Sequence, residues 1–73
     1  MNRRAQRKAA RKARQAMIRE LNLTLEALRR NDAAYQWAIE RDAVEELIYR
    51  RAALMCHCRA VLRELRKGET SCP

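Results

Sequence analysis

Apolar residues along the first half of the chain recur with the period of an α-helix. The series is Ile18, Leu21, Leu25, Leu28, Tyr35 and Ile39. Steps of three and four residues predict a helix with one buried side over about residues 17–39. Asn31 and Asp32 interrupt the series, and because both side chains bond readily to nearby backbone, a break in the helix at this point is an open alternative.

A second apolar series predicts a second helix over about residues 43–67. Its members are Val44, Leu47, Ile48, Leu54, Met55, Cys58, Val61, Leu62 and Leu65. Just before it, Asp42 and Glu45 have the spacing of a capping box, in which each side chain accepts a hydrogen bond from the other residue's backbone amide. Gly68 follows the last apolar position and can adopt the left-handed conformation that ends many helices.

The two predicted helices have nearly equal lengths and a short connection, so the fold class we expect is all-α, an antiparallel two-helix hairpin. This pairing would place Leu28 near Leu54 and Ile18 near Leu65. Because a single hairpin buries little apolar area, we expect two copies to dimerise as a four-helix bundle or coiled coil. The predicted core and interface residues are Ile18, Leu21, Leu25, Leu28, Val44, Ile48, Met55, Cys58, Leu62 and Leu65.

The charge of the chain is concentrated at its beginning. Of the 17 Lys and Arg residues among 73, eight lie in residues 1–19, where there is no acidic residue. The remaining nine are balanced by all nine Asp and Glu, so the net charge of +8 belongs to the first segment. The sequence therefore divides into a basic arm (residues 1–16), a neutral helical hairpin (17–68) and a polar tail (69–73).

The basic arm has the composition of a segment that binds a polyanion. As a helix, it would carry two rows of cations flanked by small alanines, which suits the approach of guanidinium groups to phosphates. Like charges four residues apart also repel, so we expect the arm to be frayed until a polyanion is bound. It resembles in composition the short arginine-rich RNA-binding helices of phage antiterminators. The predicted nucleic-acid-binding residues are Arg3, Arg4, Arg7, Lys8, Arg11, Lys12 and Arg14.

Other readings of the arm stay open: an acidic protein surface, an anionic membrane or no partner at all, as in a solubilising tail. A membrane is disfavoured because the arm has no Leu, Phe or Trp to insert between lipids. No apolar run is long enough to span a bilayer.

Cysteine and histidine occur together at Cys56-His57-Cys58, but the spacing does not suit a metal. Residues two apart on a helix point about 200° from each other, so Cys56 and Cys58 cannot grip one ion. We therefore expect no metal, no cofactor and no enzymatic activity. Three cysteines, including Cys72, argue against a disulfide framework and for a cytoplasmic protein.

Residues 40–68 resemble the second half of the YaaL-like family of small Gram-positive bacterial proteins. The resemblance lies in three short stretches: Leu47-Ile48-Tyr49 after a capped turn, then Ala52-Ala53, then Leu62-Arg63-Glu64. It implies a helical hairpin and a cytoplasmic bacterial protein with no established activity.

Taken together, the patterns predict a non-enzymatic nucleic-acid-binding protein whose partner is RNA, DNA or a nucleic-acid/protein complex. No small-molecule substrate is expected. The alternative is a small protein–protein adaptor or inhibitor whose arm docks on an acidic or nucleic-acid-binding surface of a larger machine, and a mobile element is one candidate source of such a protein.

Overall fold

The structure, a computed structural model, describes residues 2–70, with side chains up to Gly68. It contains two helices, α1 (Arg3–Trp37) and α2 (Arg41–Thr70), joined by a three-residue turn. They pack side by side in an elongated molecule of 57 × 19 × 15 Å. The predicted all-helical hairpin is confirmed for the described residues.

The helix does not break at Asn31 and Asp32, because both side chains bond across to α2 instead of to their own backbone. The Asn31 amide nitrogen donates to the carbonyl oxygen of Leu47 at 2.9 Å. The Asp32 carboxylate accepts from Nε of Arg51 at 3.0 Å. A pair of residues that favours a break in an isolated helix therefore joins the two helices here.

The start of α2 differs from the predicted capping box. The helix begins at Arg41, and the carbonyl of Glu40 accepts the first helical hydrogen bond, from the amide of Val44 at 3.0 Å. Glu40 thus occupies the N-cap position, and Asp42 lies inside the first turn. Its negative charge there still favours the positive end of the helix dipole. Glu45 pairs with Arg41 at 3.5 Å, so the predicted reciprocal cap between Asp42 and Glu45 was wrong.

The end of α2 also differs from the prediction. Gly68 was expected to end the helix in a left-handed conformation, but no described glycine has a positive φ and α2 continues to Thr70. Residues 69 and 70 of the predicted polar tail therefore extend the helix, and residues 71–73 lie outside the described range.

The contact between the helices follows one heptad row on each helix, with steps of three and four residues. On α1 the row is Arg14, Met17, Leu21, Thr24, Leu28 and Asn31, all buried or half-buried. On α2 it includes Val44, Leu47, Leu54, Cys58, Val61 and Leu65. Of the predicted core residues, Leu28, Cys58 and Leu65 are buried, and Leu21, Val44, Met55 and Leu62 are half-buried.

Three of the predicted core residues, Ile18, Leu25 and Ile48, are instead 40 to 49% exposed in the hairpin. Each of the three directly follows a residue of the heptad row on its helix. Together with Met55 and Leu62 they form a strip along one side of the seam, which is the line of contact between the two helices. On the other side of the seam, Nε2 of His57 lies 3.0 Å from a carboxylate oxygen of Glu20. The α1 helix is thus turned by roughly 50°, half the angle between neighbouring residues, from the phase that its apolar pattern alone indicates, which brings Thr24 and Asn31 to face α2.

Candidate nucleic-acid interface

The basic arm is the first part of α1, and its start is fixed by Asn2. The Asn2 side-chain oxygen accepts from the amide of Arg4 at 3.0 Å, and its carbonyl accepts from the amide of Gln6 at 3.1 Å. This is an N-cap, and Ala, Arg and Gln after it are good helix formers. The arm is therefore helical from Arg3 onward, where the repulsion between cations predicted fraying. An Asn directly before a run of helix formers was a signal that could have been read from the sequence.

Six of the seven predicted nucleic-acid-binding side chains are exposed on the arm. Helical spacing places them in two adjacent rows, Arg3, Arg7 and Arg11 in one, and Arg4, Lys8 and Lys12 in the other. Two shallow hollows of about 510 and 360 Å³ lie between them, the first lined by Arg4, Arg7, Ala10 and Arg11, the second by Lys8, Arg11, Lys12 and Gln15. The alanines leave space between cations, so an anionic group can approach several at once.

Arg14, the seventh predicted residue, has a different environment. Its guanidinium Nη1 donates to the carbonyl of Leu65 at 3.3 Å, and its side chain is half-buried against the end of α2. The acceptor lies within the last two turns of α2, where the negative end of the helix dipole favours a cation. Arg14 therefore ties the arm to the hairpin, a role that spacing along one helix could not indicate.

Six cations of the hairpin body form ion pairs with carboxylates, whereas the six exposed cations of the arm form none within the described residues. Within residues 2–68, no acidic side chain forms an ion pair with any of the six exposed arm cations. The body pairs at 4.0 Å or less join Arg29 and Arg30 to Glu26, Arg41 to Glu45, Arg50 to Glu46, Arg51 to Asp32 and Lys67 to Glu64. The excess positive charge therefore lies on the first four turns of α1.

The cysteine–histidine run is divided between environments. Cys58 is buried in the seam, as its position in the apolar series predicted, while Cys56 is exposed and His57 contacts Glu20. Among the described residues, no three His, Cys, Asp or Glu side chains come together in a way that could hold a metal ion. Cys72 lies outside the described residues.

The aromatic residues lie away from the arm. Trp37 ends α1 beside the turn, at the opposite end of the hairpin, and is 82% exposed. Tyr49 is exposed on α2, and Tyr35 is half-exposed two residues before the end of α1. None of them is placed to stack on a base held by the arm.

Neither helix in the described part of the chain has a stretch that is both apolar and long enough to cross a bilayer. No protein-family model, curated protein or solved structure matches this chain. The resemblance of residues 40–68 to the YaaL-like family stays a prediction.

Proposed function

We propose that this protein is a non-enzymatic, cytoplasmic nucleic-acid-binding protein of bacterial origin. Its α1 N-terminus contacts phosphates through Arg3, Arg4, Arg7, Lys8, Arg11 and Lys12, and two hairpins pair as a four-helix bundle that presents two such arms. The observation that supports this most is the placement of charge: six exposed, uncompensated cations on a helix end that α2 covers only in part.

The chemistry of the arm favours phosphate groups over bases. Arginine and lysine neutralise phosphates and release condensed counterions, which gives sequence-independent affinity. Adenine is read by Asn or Gln amides, and after its cap the arm offers only Gln6 and Gln15. We therefore expect modest sequence selectivity.

The test is binding of fluorescent duplex DNA, single-stranded DNA and RNA hairpins by the full chain at ~0.15 M salt, where the screening length is ~8 Å. Changing Arg7, Lys8, Arg11 and Lys12 together to Gln removes four charges and keeps helix propensity. We expect affinity to fall at least tenfold, with little change in thermal stability.

The matched control changes Arg30, Arg41, Arg50 and Arg63 to Gln, which removes four charges from the hairpin body. Affinity should fall much less in this variant, because charge far from the arm acts only through the general field. Equal losses in the two variants would show that net charge, not the arm, governs binding. An arm variant that binds all three nucleic acids as tightly as the parent would refute the proposal.

A second candidate function, an adaptor that docks on a larger machine, is favoured by the turn end of the hairpin. Trp37 and Ile39 are 82% and 92% exposed there, and exposed aromatic and branched side chains are typical anchors of protein interfaces. Capture of partners with and without nuclease separates the two functions. Partners lost after nuclease treatment support nucleic-acid binding, and partners retained support the adaptor.

A further inference from the structure

One side of the hairpin carries an apolar strip that the fold does not cover. We define the apolar face by Ile18, Leu25, Ile48, Met55 and Leu62, all of them half-buried or exposed. We infer that a second copy of this chain covers the apolar face, in a two-fold arrangement with the two basic arms at opposite ends. This inference rests on the dimer in the proposed function and adds to it the contact face and the orientation.

The apolar face has the geometry of a helix-pairing surface. Its residues recur every seven positions, at 18 and 25 on α1 and at 48, 55 and 62 on α2. The contacts of Asn31 with Leu47 and of Glu20 with His57 fix the antiparallel register. This register brings Ile18 level with Leu62, where the sequence pattern placed it near Leu65, and brings Leu25 level with Met55. In the next layer Ile48 lies toward Asp32, whose carboxylate is neutralised by Arg51 at 3.0 Å.

A second copy of the chain suits this face because its own apolar face has the same spacing of layers and the same shape. Two-fold interfaces join the same patch on both partners, and heptad-spaced layers interdigitate best with layers of equal spacing. The α1 positions in the same heptad place between and beside the apolar residues are Gln15, Asn22, Arg29 and Gln36, and those on α2 are Ala52 and Arg59. The uncharged residues suit the edge of an interface, and the two arginines have side chains long enough to keep their charges in solvent.

The area of the face is adequate for a dimer. Fourteen residues of helix from Ile48 to Leu62 span about 21 Å, and with half a turn of side chains at each end the face measures roughly 30 Å by the 19 Å width of the molecule. This is near 600 Å² per partner, at the lower end of the roughly 1,200–2,000 Å² total of specific interfaces. The hairpin also needs such cover, since none of its described side chains is completely enclosed.

Charge decides the orientation of the two copies. The excess of +8 belongs to residues 1–19, while the rest of the chain is neutral overall. A parallel pairing would place two uncompensated arms side by side, whereas an antiparallel pairing separates them. Arg7 lies 18 residues before Leu25 at the centre of the face, about 27 Å along the helix at ~1.5 Å per residue. The two arms would then be roughly 54 Å apart and could hold two separate stretches of one polyanion or two different molecules.

Sedimentation of the parent chain and two variants tests the face. The parent should sediment as a dimer at ~50 μM, and Leu25→Glu with Ile48→Glu should sediment as a monomer that keeps its helical circular dichroism. The control, Leu23→Glu with Tyr49→Glu, adds the same charges at exposed positions off the face and should stay dimeric. A monomeric parent, or a face variant that stays dimeric, would overturn the inference.

Orientation is measured by pulsed dipolar spectroscopy, which also decides the matter if the face variant unfolds. A spin label is attached at Arg7→Cys in a chain carrying Cys56→Ser, Cys58→Ala and Cys72→Ser that sediments as the parent does. A distance near 54 Å supports the antiparallel dimer, and a distance below ~30 Å or no intermolecular distance refutes it. Nucleic-acid affinity of the Leu25→Glu, Ile48→Glu variant is measured separately. Because each arm binds phosphate by itself, loss of the dimer with retained binding leaves the proposed function of the arm standing.

Discussion

At the scale of single residues, the seam between the helices contains polar side chains that are satisfied unequally. Thr24 is buried and its hydroxyl donates to the carbonyl of Glu20 at 2.8 Å within its own helix. Asn31 is only 5% exposed, its amide nitrogen bonds to Leu47, and its side-chain oxygen has no hydrogen-bond partner among the described residues. A buried polar residue of this kind costs stability and in coiled coils specifies one register over its neighbours.

Asn31→Leu should therefore stabilise the fold. The change removes a buried, unpartnered oxygen, and the Leu47 carbonyl stays within the hydrogen-bonded body of α2. We expect a gain of about 1 kcal/mol and a thermal midpoint roughly 4–8 °C higher, measured by circular dichroism. A lower midpoint would show that Asn31 makes a favourable contact in the assembled protein that the isolated hairpin does not contain.

Gly68→Ala should also stabilise α2. The glycine is helical, and a β-carbon built on it would lie 3.6 Å from Nη1 of Arg14, an ordinary van der Waals distance. Replacing a helical glycine by alanine reduces the entropy of the unfolded chain and is worth about 0.5–1 kcal/mol in a helix interior. We expect about half of that near the helix end, read from urea unfolding. A glycine in the left-handed conformation would give a loss instead, so the sign of the change distinguishes the two conformations.

At the scale of elements, the packing of α2 against α1 sets the residue at which α2 begins. Val44 must reach the seam, and its amide bonds to the Glu40 carbonyl, which makes a glutamate the N-cap. Glutamate is a poor N-cap because its side chain is too long to accept from its own first turn. The preferred cap residue, Asp42, lies two positions too late.

Glu40→Ser should accordingly stabilise α2 by about 0.5–1 kcal/mol. The control Asp42→Ala should cost only the helix-dipole term of about 0.3–0.5 kcal/mol, because Asp42 does not cap the helix. Both are measured by urea unfolding of the full chain. A loss near 2 kcal/mol for Asp42→Ala would identify Asp42 as the true cap.

The arm and the first half of the hairpin form one continuous helix, and Arg14 also joins the arm to α2. Helix α1 has 35 residues and α2 has 30, so starting from a common turn α1 exceeds α2 by only five residues, about 8 Å. The arm therefore lies partly alongside the last turns of α2, and only its first turn or two project beyond them. The two cation rows face solvent along this whole length.

At the scale of the whole molecule, the excess positive charge and the packed apolar residues lie in different parts of the chain. The seam and the apolar face occupy the neutral part of the chain, and the uncompensated cations occupy one end. Under the proposed function, this distribution of charge would steer the arm end toward polyanions at long range.

The salt dependence of binding should report how many arm cations meet phosphates. If five of the six exposed cations engage, log affinity for duplex DNA should fall with log salt with a slope near −4.5, at ~0.9 per contact, and for single strands near −3.5, at ~0.7. The arm variant with four Gln substitutions should reduce the duplex slope to about −1 to −2. A parent slope shallower than about −2 would show that few phosphates are neutralised and would count against the arm as the binding element.

The sequence by itself determined the features that depend on local pattern and composition. Apolar residues at helical spacing, a single glycine and a short polar connection predicted two helices in a hairpin. The clustering of cations before Arg19 placed the arm, and the series through Cys58 and Leu65 identified buried residues of α2. These features follow from backbone propensity and from charge, which need no knowledge of the partner helix.

Tertiary structure decided which side of each helix faces inward. On α1, the rows Leu21, Leu25, Leu28 and Leu21, Thr24, Leu28 share two leucines and differ only in which of two residues about 100° apart faces inward, so apolarity along one helix cannot choose between them. Contact with α2 chose the row containing Thr24 and Asn31, in which the Asn31 amide finds an acceptor on α2 and the Thr24 hydroxyl bonds within α1. Leu25 and Ile48 then come to share one outer face. The same contact gave Arg14 a carbonyl to bind and kept Gly68 in the helix. Such choices depend on the free energy of a pair of helices, which no single segment of the sequence contains.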